Sequence, residues 1–345
     1  MNKKILIISQ KVDTKDNDLS FFVHWIKEFS KYSDPLTVIC LKKGEYSLPE
    51  NVKVLSLGKE SKRSKILYIL NFYKYIIKER NNYDSVFVHM NEEYVLLGAF
   101  LWKMWGKKIT MWRNHKIGTF MTPLAVKLSN QVFCTSPKSY TAKYAKTKVM
   151  PAGIDTSFYE KNVNPTPNSI LFFGRLSPVK NVHVFIESLV ALDKDGVDFK
   201  AEIVGSPSNS EDYEYEKVLL KLGDTLVKKG KLKFNKGIPY EESLTLYSKY
   251  SVYVNLTPDG SLDKTMLEAM SAHTPVLLSN SAFRGQIPEA CQLASLEAGS
   301  ASEKIKHLLS MSQGERQNMG NKLFDYVHNN HSLEYLVDLL VKDLQ

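Results

Sequence analysis

The stretch PDGSLDKTMLEAMSAHTPVLLSN, residues 258–280, joins a polar turn to a short helix and the helix to an apolar strand. Asp263, Lys264 and Glu268 place two carboxylates and a cation at the start and in the first two turns of this helix. The free N–H groups and the dipole of a helix N-terminus attract anions. Because the helix follows a buried strand, its N-terminus lies at a sheet's carboxyl edge, where open α/β sheets bind ligands. The stretch therefore predicts an α/β fold with a ligand site at this helix.

Within the stretch, we expect the helix to begin near Ser261, which is a suitable N-cap, with Asp263 in the first turn interacting with the helix dipole. Glu268 is expected on the polar side of the helix, since its apolar neighbours face the core. A carboxylate there can accept hydrogen bonds from two vicinal hydroxyl groups, such as those of a ribose. The alternative is that Glu268 is an ordinary solvated helix residue.

The rest of the chain alternates apolar strands with helical segments. In the first half the strands are 4–9, 36–41, 52–57, 85–90, 108–112 and 131–136, and the helices are 20–32, 64–80 and 92–105. In the second half the strands are 170–176, 199–206, 232–237, 250–257 and 275–280, and the helices are 182–194, 215–230, 240–250 and 262–272. This alternation predicts parallel sheets covered on both faces.

A polar, turn-rich interval at 161–169 separates the two halves. We therefore predict two Rossmann-like, doubly wound α/β domains over residues 1–160 and 161–331. The amphipathic helix at 332–345 needs a packing surface of its own.

In ILFFGRLSPVKN, residues 170–181, the buried strand ends at Gly174 and two cations follow it. Arg175 and Lys180 would project from the strand's carboxyl end, where a guanidinium fork and an ammonium suit a diphosphate. Cations near a helix N-terminus oppose the helix dipole, so an anionic partner is expected. The alternative is that both are ordinary surface cations.

Charge is distributed unevenly along the chain. Residues 1–150 hold 26 Lys and Arg against 12 Asp and Glu, whereas residues 151–345 hold 20 against 25. No carboxylate occurs between Tyr94 and Ile154. This asymmetry indicates that the first half meets an anionic surface, either lipid headgroups or nucleic acid.

The helix at 64–80 is the best candidate for membrane contact. Lys65, Lys74, Lys78 and Arg80 interleave there with apolar and aromatic side chains, as in helices that lie on membranes. A core helix with its lysines directed outward is the alternative.

Several chemistries find no support. The sequence has no GxGxxG, Walker A, HExxH or GxSxG motif and no Asp-x-Asp pair near a strand end, so we expect no metal site. Three widely spaced cysteines in apolar stretches show no disulfide framework. The longest apolar run, 94–102, is far below the ~20 residues that span a bilayer, and the N-terminal run is too short for a signal peptide. The expected location is the cytoplasm.

Two segments, GRLSPVKN at 174–181 and VYVNLTPDGSLDKTMLEAMSAHTPVLLSN at 252–280, resemble the family-4-like retaining glycosyltransferases of GT-B architecture, the glycosyl transferases group 1. The resemblance covers roughly residues 150–285 well and the first half weakly. It implies two domains facing a cleft, with a nucleotide sugar held by the second domain and the last helix crossing back to the first. It also implies metal-independent sugar transfer with retained anomeric configuration.

Carried over to this chain, the resemblance implies that Arg175 and Lys180 contact the donor diphosphate and that Glu268 binds the donor ribose. His115, after a strand of the first domain, would face the donor sugar. His115, Arg175 and Lys180 are the candidate catalytic residues. The other donor-binding candidates would border the phosphates, the sugar or the base: Gly174, Gly237, Ile238, Gly260, Ser261, Leu262, Asp263 and Lys264.

The chain departs from the family pattern at two positions. Many relatives carry an E-x7-E pair, but Gly260 stands where the first glutamate would be, and His273 replaces a usual glycine. Asp259 or Asp263 is the candidate replacement for the glutamate, and Lys264 would add a phosphate contact. The departure leaves the identity of the donor sugar open.

The predicted function is transfer of a sugar from a UDP- or GDP-linked donor to an acceptor hydroxyl, in polysaccharide or glycolipid synthesis. The acceptor is expected to be a saccharide or a lipid-linked molecule. The protein is expected to bind no cofactor and no nucleic acid, and to lie peripherally on the inner face of the plasma membrane. The alternatives are a sugar-nucleotide epimerase of the same fold, a non-catalytic sugar-nucleotide binder, and a nucleic-acid-binding protein.

Overall fold

The computed structural model describes residues 3–16, 19–62, 64–259 and 262–344. The chain forms two compact units. Unit 1 comprises Met1–Gly153 together with Leu333–Gln345, and unit 2 comprises Ile154–Ser332.

The unit boundary lies seven residues before the predicted one, because the polar interval after it packs on unit 2. The backbone N–H of Ile154 donates to the His331 carbonyl at 2.9 Å. Asn162 donates through its side-chain amide to the Tyr250 carbonyl at 2.8 Å. The turn-rich interval does lie close to the boundary between the units, but its residues are hydrogen-bonded to unit 2 and belong to it.

Unit 1 is built on one parallel sheet. Its strands among the described residues are β1 (Lys3–Val12), β2 (Ser33–Lys43), β3 (Val52–Ser56), β4 (Ser85–His89), β5 (Lys108–Trp112), β6 (Gln131–Cys134) and β7 (Thr147–Val149), in the order β3-β2-β1-β4-β5-β6-β7. The helices between them are α1 (Phe21–Phe29), α2 (Lys65–Lys78), α3 (Glu92–Met104) and α4 (Thr122–Leu128).

Helices cover both faces of this sheet, as the continuous apolar strands require. Ile5 and Ile7 of β1 face one core, which contains Trp25 of α1. Leu6 and Ile8 face the opposite core, which α2, α3 and α4 complete. The alternation follows from the two-residue period of a strand, and burial on both sides explains why these strands are mostly apolar.

Unit 2 has a second parallel sheet, with strands β8 (Thr166–Phe173), β9 (Lys200–Val204), β10 (Leu232–Asn235), β11 (Tyr250–Asn255) and β12 (Val276–Leu278), in the order β10-β9-β8-β11-β12. Its helices in the described part are α5 (Val182–Lys194), α6 (Ser210–Lys228), α7 (Tyr240–Ser243), α8 (Lys264–Ser271), α9 (Ala298–Ser310) and α10 (Gln313–His331). The strand order reverses between β8 and β11. Their carboxyl ends therefore form the topological switch point at which such sheets bind ligands.

The last helix, α11 (Leu333–Leu344), belongs to unit 1. Its apolar face, which includes Leu336 and Leu340, joins the core that contains Trp25. The prediction of two doubly wound α/β domains is confirmed.

Within the described residues, the sequence pattern did not predict β7, α4, α9 or α10. Strand β7 is only three residues long and lies at a sheet edge. Helix α10 has a mostly polar sequence, and a capping box between Ser312 and Glu315 rather than an apolar stripe marks its start. Short edge strands and polar helices give little periodic signal. The predicted helix at 240–250 is longer than the observed α7, which ends at Ser243.

His273 ends the turn after α8 in a left-handed backbone conformation, with a φ angle of 56°. Its ring stacks on Phe324 of α10 at 4.4 Å, and its Nδ1 atom lies 3.1 Å from Asn321 Oδ1. A β-carbon at Gly320 would come within 2.2 Å of the His273 carbonyl oxygen, so α10 packs directly on this turn. Side-chain contacts therefore hold a backbone geometry that glycine adopts more readily.

We predict that His273→Gly unfolds at a higher urea concentration than His273→Ala. Both variants lose the stacked ring and the contact with Asn321, but only alanine keeps the steric penalty of the left-handed backbone. The expected difference in unfolding free energy is about 1 kcal/mol in favour of glycine. Equal stability of the two variants would contradict the described backbone at this position.

Candidate functional site: the carboxyl edge of the second sheet

Helix α8 starts at Lys264, and Asp263 is its N-cap. The Asp263 side chain accepts a hydrogen bond from the Thr265 backbone N–H at 3.3 Å. The prediction that Asp263 lies inside the first turn is therefore wrong, and the helix begins later than expected. Gly260 and Ser261 lie outside the described residues, and Leu262 directly precedes the cap. Aspartate caps helices as well as serine does, so sequence alone did not separate the two positions.

Lys180 and Asp263 form an ion pair at the switch point. The Lys180 ammonium contacts Asp263 Oδ2, and the two side chains are only 16% and 13% exposed. Asn255 Nδ2 lies 3.0 Å from the same carboxylate oxygen and Thr257 Oγ1 lies 3.4 Å from it. Burial favours the neutral acid, but Lys180 and these hydrogen bonds outweigh that effect and hold the pKa of Asp263 below its ordinary value. The anionic partner that the sequence required for Lys180 is thus Asp263.

Asn255, the last residue of β11, connects this ion pair to the sheet. Its Nδ2 atom also lies 3.0 Å from the Tyr253 hydroxyl and 3.1 Å from Thr265 Oγ1. Its Oδ1 atom accepts from the Thr257 backbone N–H at 3.0 Å. The Tyr253 hydroxyl lies 3.2 Å from the Phe173 carbonyl at the end of β8. One hydrogen-bonded network therefore joins the ends of β8 and β11 to the start of α8.

These network residues were missed in the sequence, although a signal was present. The strand VYVNLT is apolar except for Asn255 and Thr257 at its carboxyl end. Buried polar side chains need hydrogen-bond partners, so polar residues ending a buried strand indicate a network there.

Glu268 is buried, only 6% exposed, and the prediction that it lies on a polar helix face is wrong. The Tyr247 hydroxyl donates to Glu268 Oε2 at 2.7 Å, and Tyr159 also hydrogen-bonds this carboxylate. Burial raises the pKa of the Glu268 carboxyl, and the Tyr247 hydrogen bond and the Lys264 charge oppose that effect. Burial also lowers the pKa of Lys264, one helical turn before Glu268, to about 8. The tyrosines come from distant segments, so spacing gave no sign of them.

Two glycines bring the loops after β8 and β9 into backbone contact. Gly174 has a φ angle of 151°, and a β-carbon at Gly205 would lie 2.0 Å from the Gly174 carbonyl oxygen. Only glycine therefore fits at position 205 without moving one of the loops.

Arg175 is not part of the Lys180–Asp263 ion pair. Its side chain is half exposed and points to the start of α6, with Nη1 3.4 Å from Ser208 Oγ and Nε 3.8 Å from Asp212 Oδ2. The structure thus separates two cations that the sequence had grouped. Both still follow β8 at the same edge of the sheet.

Gly237 and Ile238 follow β10, the strand next to β9. The Gly237 backbone N–H donates to Ser206 Oγ, after β9, at 2.9 Å. Gly237 is exposed and Ile238 is half-buried. The carboxyl ends of parallel strands share one edge, so these residues lie along the same rim as the ion pair.

His115 belongs to unit 1, where it is exposed on the loop after β5. Its carbonyl accepts from the Tyr140 backbone N–H at 2.9 Å. A buried ion pair between Arg113 and Glu92 anchors this loop, and the Thr119 hydroxyl donates to Glu92 at 2.7 Å. The loop that carries His115 is thus fixed to the start of α3.

Within the described residues, no group of three or more His, Cys, Asp or Glu side chains is arranged to hold a metal ion. Across the same residues, no helix combines the length and the apolar character needed to cross a membrane.

Residues 154–323, which lie in the second unit, match the family model of the glycosyl transferases group 1. Among curated proteins, a putative glycosyltransferase of Bacillus subtilis, YtcC, is 30% identical over 119 residues. That alignment spans 34% of this chain and 29% of the Bacillus protein.

Solved structures share the fold of the whole chain. HepE of Anabaena, in a complex with UDP and glucose, aligns with a TM-score of 0.70 at 16% identity and 99% coverage of both chains. A glycosyltransferase of Rickettsia africae aligns with a TM-score of 0.73 at 15% identity, covering 100% of this chain and 98% of that one. At these identities the likeness establishes the fold, which is GT-B.

We predict that Asp263→Asn lowers the unfolding free energy by about 2 kcal/mol at neutral pH, because it leaves the half-buried Lys180 without its counter-charge. The Asp263 pKa is depressed in the folded state, so the stability it contributes is lost as the pH falls through that pKa. The difference between wild type and variant should therefore shrink below about pH 4. Urea unfolding of both proteins at neutral and acidic pH measures this difference in unfolding free energy.

Asp224→Asn is the matched control, since Asp224 is exposed and pairs with Lys228 on its own helix. This control should change stability little at any pH. A stability difference for Asp263→Asn that persists unchanged into acid would contradict the ion pair.

Proposed function

We propose that this protein transfers a sugar from a nucleoside diphosphate sugar to an acceptor hydroxyl, with retained anomeric configuration. The observation that carries the proposal is the Lys180–Asp263 ion pair at the start of α8, at the topological switch point of unit 2. An ammonium and the first N–H groups of a helix are the groups that bind phosphate oxygens. The match of unit 2 to the glycosyl transferases group 1 supports the same reaction class.

The donor diphosphate would lie against Lys180 and the first turn of α8. An ammonium has three N–H donors, so Lys180 can contact Asp263 and still donate to a phosphate. Lys264 supplies a second cation at the same helix end, and Arg175 is half exposed and able to turn toward the rim. In the reaction these charges would stabilise the diphosphate leaving group by preorganised electrostatics, without a metal.

Glu268 is proposed to bind the donor ribose, and the backbone of Gly237 and Ile238 to border the base. An ionised carboxylate accepts about four hydrogen bonds, so the tyrosine contacts of Glu268 leave capacity for a hydroxyl group. The complex of HepE with UDP and glucose makes UDP-glucose the first donor to test, with GDP sugars next.

Unit 1 is proposed to receive the acceptor, with His115 directed at the donor sugar. Unit 1 holds 27 Lys and Arg against 15 Asp and Glu, whereas unit 2 holds 19 against 22. This balance supports an acceptor or surface that is anionic, such as a lipid-linked saccharide at a membrane. The proposed setting is polysaccharide or glycolipid synthesis on the inner face of the plasma membrane.

A non-catalytic sugar-nucleotide binder is the second candidate. It is favoured by Gly260, which stands where relatives carry a glutamate, and by Asp263, which neutralises part of the charge of Lys180. Tight donor binding without turnover against a pool of saccharide and lipid acceptors would establish it. An epimerase of the same fold would instead change the sugar without consuming any acceptor.

We predict that nucleoside diphosphates stabilise the wild-type protein in a thermal-shift screen of UDP, GDP, ADP, CMP and their sugar conjugates. Lys180→Met should weaken the binding of the preferred diphosphate by roughly 30-fold, corresponding to the loss of about 2 kcal/mol from a charge-assisted hydrogen bond. Glu268→Gln should weaken nucleotide binding as well.

Lys217→Met is the control, because Lys217 is exposed on α6 and pairs with Glu214 on the same helix. It should bind the diphosphate as wild type does. Absence of any nucleotide-dependent shift in the wild-type protein would contradict the proposed function.

A further inference from the structure

Three helices of unit 1, α2, α3 and α4, form one layer on a single face of its sheet. Tyr73 of α2 donates to the Leu97 carbonyl of α3 at 3.0 Å, and the rings of Phe72 and Trp102 pack between the same helices. Helix α4 contributes Ala125 to this core, while α1 and α11 lie on the opposite face of the sheet. The outward side of the layer is therefore a single surface, which we call the α2–α4 surface.

The α2–α4 surface exposes large apolar side chains. Ile66 is 71% exposed and Leu70 58%, on one stripe of α2, and Phe100 is 77% and Met104 61% exposed on α3. Other exposed apolar residues extend the same surface: Leu67, Ile69, Ile77 and Leu124. The core of unit 1 buries Phe72 and Ile76 of α2, so contact with that core does not account for the exposed apolar residues of the helix. Exposed apolar residues grouped in this way mark an interaction surface.

Basic residues are distributed among these apolar side chains. Exposed lysines on the three helices are Lys65, Lys74, Lys78, Lys103 and Lys127. Glu93, at the first turn of α3, is the last acidic residue of the sequence before Asp155. Apart from Glu93, the described residues of α3 and α4 therefore present no exposed acid on this surface.

Helix α6 of unit 2 shows that exposed apolar residues alone do not distinguish this surface. It exposes Tyr213, Val218 and Leu220, but it carries five Asp and Glu against three Lys. The α2–α4 surface differs because its apolar residues stand among cations. That combination matches an anionic bilayer, in which apolar side chains enter the acyl boundary and lysines contact headgroups.

We propose that the α2–α4 surface docks on a membrane rich in anionic lipid, with α2 and α3 lying in the interface plane. The proposal rests on the proposed function in one respect: it identifies the surface through which the protein would contact the membrane named there. It rests on unit 1 alone, so it can fail while nucleotide binding by unit 2 stands. A nucleic acid fits the charge but gives no role to Ile66, Leu70 and Phe100, and a second copy of this surface would place lysine against lysine.

The test is flotation of the full-length protein with vesicles of phosphatidylcholine alone or mixed with phosphatidylglycerol. Wild type should float with the anionic vesicles only, and less so at high salt. The triple variant Ile66→Ser/Leu70→Ser/Phe100→Ser and the variant Lys74→Glu/Lys78→Glu should each reduce the bound fraction by about 10-fold or more.

The matched control is Val218→Ser/Leu220→Ser on α6, which removes comparable exposed apolar groups and should float as wild type does. Each variant is first shown to keep the wild-type far-UV circular dichroism and melting temperature. Binding that ignores anionic lipid, or that survives both α2–α3 variants, overturns the proposal. Absence of wild-type binding to anionic vesicles also overturns it, and dimerisation or nucleic-acid binding that these variants abolish would then identify the occupant of the surface.

Discussion

The ion pair between Lys180 and Asp263 is the interaction on which the second unit's site depends. A lysine and an aspartate this little exposed are stable only when each is paired and further hydrogen-bonded, because an unpaired buried charge is costly. Asn255, Thr257 and the first turn of α8 supply those additional hydrogen bonds. These contacts hold together the loop after β8, the end of β11 and the start of α8 as one rim. The N–H groups of Lys180 and of the α8 N-terminus on this rim can bind an anion.

The sequence predicted that Lys180 and Asp263 lie at one edge of the second sheet, but it did not predict their ion pair or the polar side chains around it. Parallel strands bring their carboxyl ends to one edge, so Lys180 and Asp263 could be placed near each other from the order of strands. The cap at Asp263 was missed because serine and aspartate cap helices equally well. The burial of Glu268 was missed because it depends on side chains from other segments, such as Tyr247. The architecture was predictable because buried parallel strands are continuous apolar runs, whereas polar α10 left no such pattern.

The two units differ in charge and in the surfaces they present. Unit 1 carries the basic excess, and its α2–α4 surface combines cations with exposed apolar side chains. Unit 2 is slightly acidic overall, yet it places Lys180 and Lys264 at the N-terminus of α8, while Arg175 lies at the same sheet edge near the start of α6. Local placement, rather than net charge, therefore makes unit 2 suited to a diphosphate, while net charge makes unit 1 suited to a surface.

The central claim is that the switch point of unit 2 binds the diphosphate of a nucleotide sugar. A crystal structure of the protein with UDP, or with the diphosphate it binds best, tests it most directly. The account predicts phosphate oxygens within hydrogen-bond distance of Lys180 Nζ and the first backbone N–H groups of α8, with the Lys180–Asp263 contact retained. A nucleotide bound away from the carboxyl ends of β8 and β11 would contradict the account.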